Sequence, residues 1–141
     1  MKKYGCIGKK LGHSFSKDIH AKLADYKYEL IELNEEEIDS FFKQKDFAAI
    51  NVTIPYKQTV IPYLDSISEI ANRIGAVNTI VNKDGKLLGY NTDYYGMKAL
   101  IEKTGIDFQN KKVLILGTGG TSKTAQIVAQ DLGANQILTV S

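Results

Sequence analysis

The sequence holds one cysteine, Cys6, so no intramolecular disulfide can form. A small disulfide-stapled scaffold is excluded, and a reducing, cytoplasmic setting is expected. Charge of neither sign dominates: 18 basic residues face 16 acidic ones, leaving +2. That balance argues against a nucleic acid or a membrane surface as partner. The Lys2-Lys3 and Lys111-Lys112 pairs read as solvated faces. No apolar run approaches the ~18 residues of a membrane-spanning helix. None of signal-peptide length follows Met1-Lys2-Lys3. There is no internal repeat and no low-complexity tract, so a repeat architecture is excluded. His, Cys, Asp and Glu nowhere fall at metal-ligand spacing, and no metal centre is expected. No Gly-x-Ser-x-Gly elbow is present. His13 falls in a loop and His20 in a helix, and both are expected to pack or cap.

What is present is ordinary globular composition, 43% hydrophobic and 24% charged over 141 residues. That length suffices for one domain with a real core and is short for two. Strands and helices alternate, which argues for an α/β fold on an open mixed or parallel sheet flanked by helices. Strands are expected at Tyr4–Gly8, Tyr28–Leu33, Phe47–Ile54, Gly75–Val81 and Leu87–Tyr90. A first helix should follow Ser16 as its N-cap, with Ile19, Leu23 and Ala24 on one buried face. A second follows Asn34, with Glu37 completing a capping box. Pro55 suits the first turn of a third, running through Val60, Ile61 and Leu64, with Pro62 expected to bend or end it. Ser66-Ile67-Ser68-Glu69 reads as another box, and Thr92 or Asp93 caps a helix that stops at Gly105. Asp84-Gly85 marks a hairpin turn. After residue 105 the character changes. Val113–Leu116 reads as a parallel strand covered on both faces. A glycine turn, a helix closed by Gly133 and a strand at Gln136–Val140 then form the first β-α-β of a Rossmann-like nucleotide-binding unit.

Two stretches carry chemistry. Asn51-Val52-Thr53-Ile54-Pro55-Tyr56-Lys57 is a strand-to-helix elbow whose polar groups would point from its rim. Gly117-Thr118-Gly119-Gly120-Thr121 follows a strand and opens a helix, which sets backbone N–H groups against a phosphate. Its spacing is short of the full G-x-G-x-x-G, because Lys123 stands near the third glycine position. The residue that would choose NADP over NAD should follow the next strand, so this turn suits either. Ser14, Ser16, Asn51, Thr53, Lys57, Asn78, Thr92 and Asp93 each sit at a strand end or helix start. Such ends gather on one edge of an α/β sheet. Hydroxyls, amides, one ammonium and one carboxylate there suit a small ligand with several hydroxyls and a carboxylate.

These motifs stand in a fixed order. Gly8…His13-Ser14-Phe15-Ser16 comes first, then the elbow, then Gly75-Ala76-Val77-Asn78-Thr79. Gly89-Tyr90-Asn91-Thr92-Asp93-Tyr94-Tyr95-Gly96 and Gly117-Thr118-Gly119-Gly120 follow. In this order they resemble the shikimate dehydrogenase family, nearly end to end. The resemblance implies NADP-linked, reversible reduction of 3-dehydroshikimate to shikimate in chorismate and aromatic amino-acid biosynthesis. It implies Lys57 and Asp93 as the catalytic pair, and Ser14, Ser16, Asn51, Thr53, Asn78 and Thr92 as further substrate contacts. It implies residues 1–105 as the substrate-binding catalytic domain and 106–141 as the incomplete start of the NADP-binding domain. The family usually has proline where Lys10 and Lys17 stand, so local rigidity should differ there without loss of chemistry. Family enzymes are longer, so a truncated chain, inactive by itself, is expected. A quinate/shikimate dehydrogenase and a non-catalytic shikimate-binding module are the alternatives. An unfinished sheet also leaves open edges, through which Val113–Val140 could pair with a second copy as a homodimer.

Overall fold

The computed structural model describes residues 3–141. Six strands form one mixed sheet in the order β2-β1-β3-β5-β6-β4. They are β1 (Tyr4–Gly8), β2 (Tyr28–Glu32), β3 (Ala49–Val52), β4 (Ser66–Ile67), β5 (Thr79–Lys83) and β6 (Lys86–Tyr90). β1 runs parallel to both β2 and β3, and β4 runs parallel to β6. β5 is antiparallel to β3 and to β6. The β5–β6 hairpin turns at Asp84 (φ 53°) and Gly85 (φ 84°), the positive angles that an Asp-Gly pair supplies. Among the described residues five α-helices accompany the strands: α1 (Ser16–Leu23), α2 (Glu35–Gln44), α3 (Glu69–Ile74), α4 (Asp93–Thr104) and α5 (Gly120–Asp131). β7 (Lys112–Leu116) and β8 (Gln136–Val140) form a separate parallel pair around α5.

Strand alternation puts Ile7, Ile50, Val52, Ile80 and Leu87 into the main core, where Ile38 and Phe42 of α2 meet them. The Asn34 amide donates to Glu37 Oε2 at 2.7 Å and so starts α2 as expected. The other sheet face carries a smaller cluster of Cys6, Leu11 and Tyr28. A third cluster joins Ile74 and Ala76 to Tyr94 of α4 and Val128 of α5.

Several local expectations are overturned. No regular α-helix follows Pro55; turns lead to a 3-10 turn at Ile61–Tyr63. The Lys57 carbonyl, which residue 61 would use in an α-helix, accepts Val77 N–H at 2.8 Å instead. Ile61 N–H therefore bonds Gln58 O, and Pro62 has no N–H with which to resume the ladder. Ser16 begins α1 rather than capping it; its amide donates to Ser14 Oγ at 3.3 Å. No α1 residue is buried, and Ile19 and Leu23 face solvent. The helix leans on the sheet through His20, stacked on Tyr28 at 3.9 Å. Ser66-Ile67 is strand, and Ser68 is the true cap of α3, accepting Ala71 N–H at 3.2 Å. Gly75–Asn78 is connection, and β5 begins only at Thr79. β7 is covered on one face alone, because α5 packs on one side of the β7–β8 pair while Leu114 and Leu116 are exposed.

Candidate active site

The elbow is pinned from both sides. Thr53 N–H donates to Ile7 O at 3.0 Å, and Val52 N–H donates to Asn78 O at 2.8 Å. Gly8 leaves the room this requires: a Cβ there would lie 2.7 Å from the Thr53 methyl. With its carbonyl held by Val77, Lys57 has a fixed backbone from which its side chain reaches α4. Lys57 Nζ donates to Asp93 Oδ2 at 2.6 Å. The two side chains keep 28% and 42% of their surface, so the pair stands at a rim where a small molecule can meet it. Asp93 is the first residue of α4, where a carboxylate is favoured by the helix dipole.

Beside this ion pair runs a line of amides and hydroxyls. Tyr28 Oη donates to Asn51 Oδ1 at 2.6 Å, and Asn51 Nδ2 donates to Thr79 Oγ1 at 3.2 Å. Thr79 Oγ1 donates to Asn78 Oδ1 at 3.0 Å, and Asn78 Nδ2 donates to Thr92 Oγ1 at 2.9 Å. Thr92 N–H returns to Asn78 Oδ1 at 2.8 Å. Register explains the meeting: Asn51 pairs with Thr79 across β3 and β5, and Cys6 lies on the same face of β1. Burial pushes the Tyr28 phenol above its ordinary value of 10.0, with Ser16 at the same hydroxyl partly offsetting it. Burial also pushes the Cys6 thiol up, consistent with a small core residue.

The structure therefore joins Lys57 to Asp93, joins Asn51 to Asn78 and Thr92, and brings Ser16 to the Tyr28 phenol. Ser14 serves the start of α1, and Thr53 packs its methyl toward Gly8. Thr92 holds the N-cap position of α4, as expected, but gives no side-chain cap bond, because its hydroxyl is taken by Asn78. The side-chain acceptor for the first turn is the fully buried Asn91, one residue earlier, whose Oδ1 accepts Tyr94 N–H at 3.4 Å while its Nδ2 donates to Ala76 O at 3.1 Å. Tyr28, Thr79 and Asn91 were not among the expected site residues. Asn91 lies within the Gly89–Gly96 motif, just before Thr92 and Asp93.

A cleft of about 440 Å³ separates the elbow from the glycine turn, lined by Ile54, Gly117, Gly119, Gly120 and Thr121. Thr118 completes the turn. Gly117 adopts φ 111°, which other residues avoid. A Cβ on Gly119 or Gly120 would meet no atom within 4 Å, so internal packing does not demand glycine there. The two glycines keep the start of α5 open to the cleft, and no side chain caps that start. The first N–H groups of α5 thus fit a phosphate. Among the described residues no group of His, Cys, Asp and Glu could hold a metal ion, and no helix is long and apolar enough to cross a membrane.

Comparison with known proteins gives the same picture. A family model for the shikimate dehydrogenase substrate binding domain matches residues 6–80, more than half of the chain. A shikimate dehydrogenase (NADP(+)) of Clostridium perfringens is 42% identical over 149 residues, covering 100% of this chain and 55% of that protein. The crystal structure of shikimate dehydrogenase 1 from Peptoclostridium difficile superposes with a TM-score of 0.92 at 39% identity, over 100% of this chain and 55% of that one. A shikimate 5-dehydrogenase from Thermus thermophilus, solved in complex with NADP(H) and shikimate, superposes at 0.87 with 28% identity, over 100% of this chain and 57% of that one. The chain thus spans about half the length of the curated relatives it matches. By its matched residues and by a superposition that takes in all of this chain, it belongs to the shikimate dehydrogenase family.

Proposed function

We propose that this chain supplies the substrate-binding and proton-transfer part of an NADP-dependent shikimate dehydrogenase. The observation that carries the reading is the Lys57–Asp93 contact of 2.6 Å, on the elbow whose Ile54 lines the glycine-turn cleft. NADPH, when bound, supplies the hydride to the carbonyl carbon of 3-dehydroshikimate. The oxygen that becomes a hydroxyl needs a proton, and the Lys57 ammonium donates it. In the oxidising direction the Lys57 amine takes it back. Asp93 orients Nζ and accepts from the reacting hydroxyl. Ser14, Ser16, Asn51, Thr53, Asn78 and Thr92 bind the remaining hydroxyls and the carboxylate. Residues 1–105 form the catalytic domain in this reading, and 106–141 begin the NADP-binding domain with Gly117, Thr118, Gly119, Gly120 and Thr121 at the phosphates. The relatives named for NADP(+) support NADP over NAD, and a buried free Cys6 fits the cytoplasm.

Two measurements test this. Calorimetric titration with shikimate should show binding to the chain, with quinate run in parallel to separate the two substrates. Next, residues 1–141 replace the matching half of the Clostridium perfringens relative, and shikimate-dependent NADP(+) reduction is followed. Turnover is expected in the chimera, falling on the order of 10²–10⁴-fold with Lys57→Ala. A folded chimera whose rate survives Lys57→Ala would overturn the assignment.

A further inference from the structure

Ile54 stands where strand alternation would bury it. Ile50 and Val52 of β3 point into the main core, each 2% exposed, and a period of two would put Ile54 on the same face. Ile54 is instead 76% exposed. The chain leaves the sheet after Val52. Thr53 N–H donates to Ile7 O at 3.0 Å, and Tyr56 N–H donates to Thr53 O at 3.0 Å. The second bond closes a tight turn with Ile54 and Pro55 at its centre. The Ile54 carbonyl accepts Lys9 N–H at 3.4 Å. The buried Tyr56 anchors the turn through its hydroxyl, which donates to Leu33 O at 2.6 Å. The Ile54 side chain is therefore turned outward on a fixed backbone.

Single exposed aliphatic residues are common, and exposure by itself assigns nothing. The cleft that Ile54 lines is more telling. Among the described residues around that space of about 440 Å³, Ile54 alone comes from the main sheet and its connections. The others belong to the end of β7, the glycine turn and α5, and none of them carries a charge. A nucleotide whose phosphates meet the first N–H groups of α5 carries a flat ring beyond its sugar. Glycines give such a ring no side chain to lie against. Ile54 offers a branched aliphatic face from the elbow side, three residues before Lys57. One short, pinned segment thus carries both an apolar wall for the ring and the ammonium that meets the substrate oxygen.

We propose that Ile54 is a cofactor-positioning residue, the apolar wall on which the nicotinamide ring rests at the end of the cleft facing Lys57. That the nucleotide is NADP rests on the function proposed above.

The test compares NADP(+) with 2′-phospho-ADP-ribose, the same molecule without its nicotinamide ring. Each is titrated into the full chain, and the Gly119 and Gly120 amides and the Ile54 δ1 methyl are followed by NMR. Both compounds should shift the glycine amides. NADP(+) alone should shift the Ile54 methyl, since a ring current acts only at close range. In Ile54→Ala the affinity for NADP(+) should fall about tenfold, whereas that for the ring-less compound should not change. Ile54→Leu should restore most of the loss. Glycine amides that respond to both compounds while the Ile54 methyl stays in place overturn the proposal and leave the nucleotide reading intact. An Ile54→Ala loss of equal size for the two compounds also overturns it, because that marks a merely structural change. If neither compound moves the glycine amides, the nucleotide reading fails and the proposal falls with it. If Ile54→Ala does not fold, the wild-type methyl response decides.

Discussion

At the scale of single residues, the Lys57–Asp93 contact has a chemical asymmetry. An ammonium can give a proton to a substrate oxygen, whereas an ionised carboxylate only accepts and orients. Asp93→Asn keeps the shape and removes the charge. In the proposed chimera this variant should still bind shikimate but lose turnover by on the order of 10²-fold, within the range of a misplaced acid–base group. Parallel shikimate titration and rate measurement would check it, and an unchanged rate would refute the orienting role. Lys57, Asp93, Asn51, Asn78 and Thr92 were legible in the sequence because each belongs to a motif of fixed order. Tyr28, Thr79 and Asn91 were not. Their partners lie 23, 28 and 15 residues away, and only the folded chain brings them together.

At the scale of elements, local signals predicted where structure starts better than how it continues. The Asn34–Glu37 box, the Asp84-Gly85 hairpin and the Gly105 stop depend on neighbours in sequence, and they formed as expected. The segment after Pro55 has a sound local reason to be helical, and a distant N–H on Val77 overrides it. The diversion has a use, since it holds Lys57 at a fixed height above the sheet. Close approach also constrains β6. A Cβ on Gly89 would lie 2.5 Å from Leu64, 3.0 Å from Ile67 and 3.1 Å from Val77. Gly89→Ala should therefore destabilise the fold by about 1–3 kcal/mol through overpacking. Urea midpoints compared with wild type would measure this, and a neutral result would mean that these three side chains can retreat. Ser68→Ala should cost about 1 kcal/mol by the loss of the α3 cap, read in the same experiment.

At the scale of the whole molecule, α5 must be held to the main sheet if the glycine turn is to face the elbow. Apolar contact among Ile74, Ala76, Tyr94 and Val128 supplies part of this. Asp131, at the end of α5, adds a polar link. Arg73 of α3 grips it with two bonds of 2.9 and 2.7 Å, and Tyr94 Oη donates to it at 2.6 Å. Tyr94 follows Asp93, so one carboxylate ties α5 to the start of α4. The sequence hid this, because a lone acidic residue near a helix end ordinarily reads as solvated surface. The link has a pH signature at both ends. The Arg73 guanidinium, then the Tyr94 hydroxyl, hold the Asp131 carboxyl below its ordinary value of 3.8. Its contribution to stability is present above 3.8 and is lost as pH falls through the lowered folded value. The Asp131 carboxylate, helped by desolvation, pushes Tyr94 up from 10.0 to about 12. That contribution is present below 10.0 and is lost as pH rises from 10.0 to about 12. Asp131→Asn removes the cause of both. Its urea midpoint should therefore vary less with pH than that of wild type, on the acid side below 3.8 and on the alkaline side above 10.0. Profiles that stay parallel at both ends would show that α5 is held by its apolar contacts alone.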